Sequence, residues 1–147
     1  MSDTDLVKLY SGRILALAAD IPHLGHLAAP MATVKKRSPL CGSTVAVEVV
    51  LQGGKITQFA QEVRACALGQ ASAAVLGRVV IGRTRTELEA ARTALQAMLT
   101  DGGPVPAAPF TGYDVLIPAR DYKNRHASIL LALEATVEAV ASAEAQN

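Results

Sequence analysis

Cysteine and histidine are the residues through which this chain could do chemistry, and both are scarce: the 147 residues hold two cysteines, Cys41 and Cys66, and three histidines, His23, His26 and His126. Cys66 lies in Arg64-Ala65-Cys66-Ala67-Leu68-Gly69-Gln70-Ala71-Ser72, where an extended segment gives way to a helix of small residues. A thiol at a helix start meets unpaired amide N–H groups and the positive end of the macrodipole. Both favour the thiolate and suit it to a soft metal or to attack on sulfur. The plainer alternative is a small buried hydrophobe, which free cysteine often is.

The elements around Cys66 decide what it can meet. Cys41 precedes a run in which Val45, Val47, Val49 and Leu51 alternate with Thr44, Ala46 and Glu48, the period of a half-buried strand. Gly53-Gly54 supplies a turn, and Lys55 to Arg64 returns as a second extended segment, where the phase of Ile56 against Phe59 and Val63 predicts a bulge or a break into two strands. The two ends of such a hairpin are neighbours, so Cys41 and Cys66 can meet. Leu130, Leu133, Val137 and Val140 follow His126 at helical spacing and put it in the first turn of the last helix, on the buried stripe. A histidine there is usually a satisfied core residue; with Cys41 and Cys66 it also makes one set of soft ligands. His23 and His26 are three apart, but Pro22 and Gly25 break the helix that would let them share a metal.

Leu6, Leu9, Tyr10, Ile14, Leu15 and Leu17 predict an amphipathic N-terminal helix ending before Pro22. Residues 28–37, with Pro30 and Lys35-Lys36-Arg37, read as a linker with a solvated basic run, so that 1–37 is helix and linker. After Cys66 a small-residue helix is expected up to about Val80. Thr84-Arg85-Thr86-Glu87 is a capping box for a further helix with an apolar face of Leu88, Ala91, Leu95 and Met98, stopped by Asp101-Gly102-Gly103-Pro104. A loop with Pro104, Pro106 and Pro109 follows.

At this length one compact domain, residues 1–147, can bury about two-thirds of its unfolded surface. Half the residues are hydrophobic and 3% aromatic, so the core is aliphatic. The formal charge of +1 gives no footprint for nucleic acid or for a lipid surface. No membrane span is expected. The first five residues are acidic and the apolar run from Ile14 to Ala19 is short for a secretory signal, so the expected place is the cytoplasm, with both thiols reduced.

Cys41-Gly42 before a hydrophobic strand, Cys66-Ala67-Leu68-Gly69-Gln70-Ala71-Ser72 after an extended segment, and Pro118-Ala119-Arg120 ahead of a C-terminal helix resemble the IscU/SufU/NifU N-terminal family of iron–sulfur cluster assembly scaffolds, over nearly the whole chain after residue 38. The resemblance implies an α+β fold: a small antiparallel β-sheet of about three strands, flanked by an N-terminal helix and several C-terminal helices. It implies a pocket of three cysteines and an aspartate that holds a nascent iron–sulfur cluster, [2Fe–2S] in the expected form, or Zn. Cys41 and Cys66 match the first two cysteines. Ser43 stands at the aspartate position, and no cysteine stands near Arg125-His126-Ala127-Ser128-Ile129-Leu130. One register sets Ala127 at the missing cysteine with His126 beside it, and another sets His126 there.

Exchanging Cys and Asp for neutral groups removes about two negative charges from the shell, which weakens binding more than it abolishes it. The expected function is then a non-enzymatic scaffold or carrier that binds a cluster or metal through Cys41, Cys66 and His126, its shell completed by a partner or a second subunit. The alternatives are a zinc-binding sulfur acceptor for a cysteine desulfurase and an interaction module that has lost the metal. By the same resemblance the partners are a cysteine desulfurase and recipient apo-proteins, with a homo-oligomer possible in principle. The segment 117–121 does not match the family's chaperone-recognition sequence.

Overall fold

The computed structural model describes residues 11–39 and 42–146. Leu6, Leu9, Tyr10 and Cys41 therefore lie outside the described residues. The chain runs through α1 (Gly12–Ala18), β1 (Ala32–Arg37), β2 (Thr44–Gln52), β3 (Lys55–Arg64), α2 (Ala67–Val79), α3 (Arg85–Thr100), a 3-10 segment (Phe110–Asp121) and α4 (Lys123–Glu144). The strands form one antiparallel sheet in the order β1-β2-β3, so the α+β expectation holds.

The third strand is not where the sequence put it. Residues 32–37, expected to be linker, are β1, paired along its length with Thr44–Val49 of β2. Its inward row is Ala32, Val34 and Lys36, and the lysine hides the alternation. The Lys36 stem lies on the core side while its Nζ reaches Glu138 on α4 at 2.9 Å, so a residue that looks solvated serves an inner face. The second half of the hairpin stays one strand. Its register shifts between Val50 and Leu51, which leaves Thr57 unmatched and brings Ile56 and Phe59 to the same buried face. Both turn glycines, Gly53 at φ 60° and Gly54 at φ 76°, take the left-handed conformation that a two-residue hairpin turn requires.

Ser11 caps α1, its Oγ accepting from the Ile14 N–H at 3.3 Å, and α1 ends before Pro22 as expected. The Thr84/Glu87 capping box of α3 forms in both directions, and Leu88, Ala91, Leu95 and Met98 are buried. The 3-10 segment was not foreseen. Its buried side chains, Phe110, Tyr113, Val115, Leu116 and Ala119, lack the period of an α-helix or a strand, and Pro118 sits inside it.

Helix α4 is the centre of the core, packed against β1, β2, α2 and α3. Between Ile129 and Val140 nearly every residue is buried. By length and composition α4 could cross a membrane, but 72% of its most apolar window is buried within the fold, so that hydropathy serves the core. Helix α2 approaches α4 closely through small residues, and the Ser72 hydroxyl donates to the Ile129 carbonyl at 2.6 Å. Gln61 of β3, fully buried, donates from Nε2 to the carbonyls of Pro22 and Ala73, which ties the segment after α1 to the sheet.

Candidate metal centre

Strand β3 ends at Arg64, and Cys66 is the N-cap of α2, extended at φ −65° and ψ 169° before the helix begins. The Gln70 side chain steadies this corner by donating to the Ala65 carbonyl at 2.8 Å. The sulfur is half-buried. Its Sγ lies 3.7 Å from the Ser128 Oγ of α4, and the Ser128 Oγ lies 2.9 Å from the Ser43 Oγ at the start of β2. Both serines are buried, at 3% and 1% exposure, so their hydroxyls satisfy each other out of water.

Two features hold this contact. Ser38 is tied to Gly42 and Ser43, its N–H donating to the Ser43 carbonyl and its carbonyl accepting from the Gly42 N–H. On α2, a Cβ at Gly69 would lie 2.7 Å from the Ser128 Oγ and 2.8 Å from the Ala65 Cβ, so only glycine lets α4 come this near.

Burial pushes the Cys66 thiol up, and four groups oppose it: the Gly69 amide, the Ser128 hydroxyl, the Leu68 amide and the Arg125 guanidinium. The balance holds the thiol below its ordinary range. This is the anion-favouring helix start that the sequence implied, strengthened by a cation and a hydroxyl that sequence reasoning did not single out.

The predicted ligands do not all come together. His126 is buried in the first turn of α4, but its Nε2 lies 2.9 Å from the Ala119 carbonyl and is committed to the 3-10 segment. Consecutive helical residues are about 100° apart, so His126 and Ser128 lie about 200° apart around α4. The side of α4 that meets Cys66 is therefore Ser128's. Among the described residues no three His, Cys, Asp or Glu side chains are grouped to hold a metal ion. His23 and His26 also part: the His23 ring meets Phe59 edge-on, and His26 Nδ1 lies 2.7 Å from Glu48 Oε2. That bond and the Glu48 charge hold the imidazole above its usual range.

Ser128 and Arg125 stand within the stretch that carries the resemblance, yet nothing distinguishes Ser128 from Thr136, whose hydroxyl bonds its own helix at Ala132. Only the cross-element contact does so.

Cys66 thus stands at the end of a small antiparallel sheet, capping a helix that packs on a long C-terminal helix, in an α+β fold that solved structures share. The structure of a nitrogen-fixing NifU-like protein, N-terminal part, from Brucella abortus superposes with a TM-score of 0.94 and 44% identity, over 97% of this chain and 99% of that one. A protein named as an iron–sulfur cluster assembly scaffold for the SUF system, from Fervidobacterium islandicum AW-1, shares the fold at a TM-score of 0.80 and 21% identity, over 91% and 98%. A hypothetical protein shares it at 0.80 and 24%, over 92% and 98%. Neither a family model nor a curated protein matches the sequence. The chain belongs to the NifU-like N-terminal family.

Proposed function

We propose that this chain is a scaffold or carrier in iron–sulfur cluster assembly, and that its cargo is held at Cys66 together with Cys41, which stands two residues before Ser43 in the sequence. The observation that supports this best is the half-buried Cys66 sulfur at the α2 start, 3.7 Å from the Ser128 Oγ, in a chain that a NifU-like relative matches over 97% of its length. In this reading Ser43 and Ser128 occupy the positions of the remaining anionic ligands. The missing cysteine then falls at residue 128, not at 126 or 127 as the resemblance alone suggested. His126 leaves the ligand shell in this reading because it lies about 200° around α4 from Ser128, whose Oγ is the α4 atom beside the Cys66 sulfur.

Two thiolates and a neutral hydroxyl pair are a poor cage for four-coordinate Zn²⁺ and fit a cargo whose other ligands come from outside the chain. A [2Fe–2S] cluster would be completed by a recipient apo-protein or a second subunit. The role is holding and handing on, not turnover, and the cytoplasm is the compartment that fits it.

The same thiol supports a second reading as a sulfur acceptor. The Cys66 thiolate attacks the outer sulfur of a cysteine desulfurase persulfide, a new S–S bond forms on Cys66, and the donor leaves as its thiolate. Anaerobic reconstitution with ferrous iron and sulfide separates these readings. The parent should bind iron and labile sulfide with charge-transfer absorption, and Cys66→Ser should lose both while its melting temperature holds. Equal iron on parent and variant would remove Cys66 from the site. Transfer of labelled sulfur without iron binding would favour the acceptor.

A further inference from the structure

Helix α4 covers the inner face of the sheet, and the segment between α1 and β1 ties down part of the outer face, where Glu48 receives the Leu27 N–H and meets His26. The other part, next to the Cys66 corner, is covered by none of the described residues. There the register sets Lys35 beside Ala46 and Ala46 beside Glu62, and in the next row Arg37 beside Thr44 and Thr44 beside Arg64. Lys35, Glu62 and Arg64 with the small residues Gly42, Thr44 and Ala46 of its floor line a concavity of about 390 Å³, and Arg37 stands beside Thr44 at its edge.

The cations around it differ from five others in the fold. Arg13, Lys36, Arg83 and Arg85 each reach a carboxylate, and Arg120 is bound to two carbonyls. The side chains of Lys35, Arg37 and Arg64, like those of Lys55, Arg78, Arg92 and Lys123, have no hydrogen bond or ion pair among the described residues, and these three share one surface. Three unpaired cations therefore stand around a floor of small side chains, over which a polypeptide backbone could pass closely. On its outer side β1 has no strand neighbour among the described residues.

We propose that this concavity docks an extended acidic segment of a partner protein, its carboxylates on Lys35, Arg37 and Arg64 and its main chain across Gly42, Thr44 and Ala46. Glu62 decides between anions. It closes the row of Lys35 and Ala46, two residues before Arg64 on β3; its charge repels any anion brought close, but it can accept a bond from a peptide N–H, a donor that a phosphate backbone lacks. The formal charge of +1 for the whole chain likewise lacks the broad cationic field that nucleic acid binding uses. The floor offers no large apolar side chain to an apolar partner. The surface uses no residue of the proposed cargo site, so either proposal can fail alone.

The test is an amide-resolved NMR titration of the full chain with a capped peptide of alternating glutamate and serine. Shifts should be confined to Lys35, Arg37, Thr44, Ala46, Glu62, Arg64 and their neighbours. Reversing two charges, Lys35→Glu with Arg64→Glu, should weaken binding about tenfold, while Lys55→Glu at the far end of the hairpin should change it less than about twofold. If the double variant does not fold, Arg64→Ser alone should still weaken binding about threefold. Shifts spread over the whole surface, or an equal loss in Lys55→Glu, would overturn the proposal. So would displacement of the peptide by inorganic phosphate or a short DNA duplex at matched charge, which would make the concavity a phosphate site.

Discussion

The core under the sheet and the pocket at its end share α2, α4 and β2, yet they are built on opposite principles. In the core, Val47, Val49, Leu76, Leu95, Ile129 and Leu133 are interchangeable aliphatics whose worth is their buried area, and their neighbours can adjust to one another. In the pocket, each contact depends on one atom: the Ser43 and Ser128 hydroxyls on each other, the Cys66 sulfur on Ser128, and the missing Cβ of Gly69. The core sets stability and the pocket sets the state of a thiol, so substitutions in the two regions should move different observables.

The largest effect is expected in the core. Leu133→Ala, at a fully buried position on α4, should cost about 2–5 kcal/mol through the cavity it leaves. Chemical denaturation will measure it, and iron bound per folded chain should not change. Loss of iron in step with stability would mean that core and pocket are not separable.

At the boundary between the regions, Gly69→Ala should have a smaller cost, about 1–3 kcal/mol, because its methyl would overlap the Ser128 Oγ and the Ala65 Cβ. Unlike Leu133→Ala, it should also slow alkylation of Cys66 as α4 moves away. A stabilised protein with unchanged thiol reactivity would show that the close approach of α2 and α4 does not govern the site.

How much of this was legible in the sequence follows the same division. Periodicity located β2, α3 and α4, because burial of one face imprints a period on apolar residues. The capping box at Thr84 and Glu87 was legible because it is local. Strand β1 was missed where Lys36 breaks the inward row, and the 3-10 segment because its burial has no regular period. The pocket was half legible. Cys66 at a helix start is a local feature, but Ser128 meets Ser43 and Cys66 only through the packing of three elements, and no pattern within α4 separates the residue facing Cys66 from the one facing Ala119. His126 was the more conspicuous side chain, and the helix turns it to the other side.

The smallest effect should be confined to the thiol. Ser128→Ala removes one of the groups that favour the thiolate while burial, which opposes it, remains. The midpoint of the pH profile for Cys66 alkylation, expected below the ordinary thiol value in the parent, should move up, so that the rate near neutral pH falls as the thiolate fraction falls. Stability should fall by about 1 kcal/mol, the low end of what it costs to leave a buried hydroxyl, here that of Ser43, without its partner. A midpoint that stays in place would assign the activation of Cys66 to the α2 amides and Arg125 alone.

The central claim is that residue 128 occupies the place of the missing thiolate, and restoring a cysteine at each candidate position tests it most directly. Zinc affinity of Ser128→Cys, Ala127→Cys and His126→Cys should be measured by competition with a chromophoric chelator at two pH values, with the melting temperature of each variant recorded. Ser128→Cys should bind at least about tenfold tighter than the parent, with the gain growing as pH rises and the new thiol ionises, and the other two should match the parent. Tightening by His126→Cys or Ala127→Cys with none from Ser128→Cys would contradict the account and return the pocket to the other side of α4.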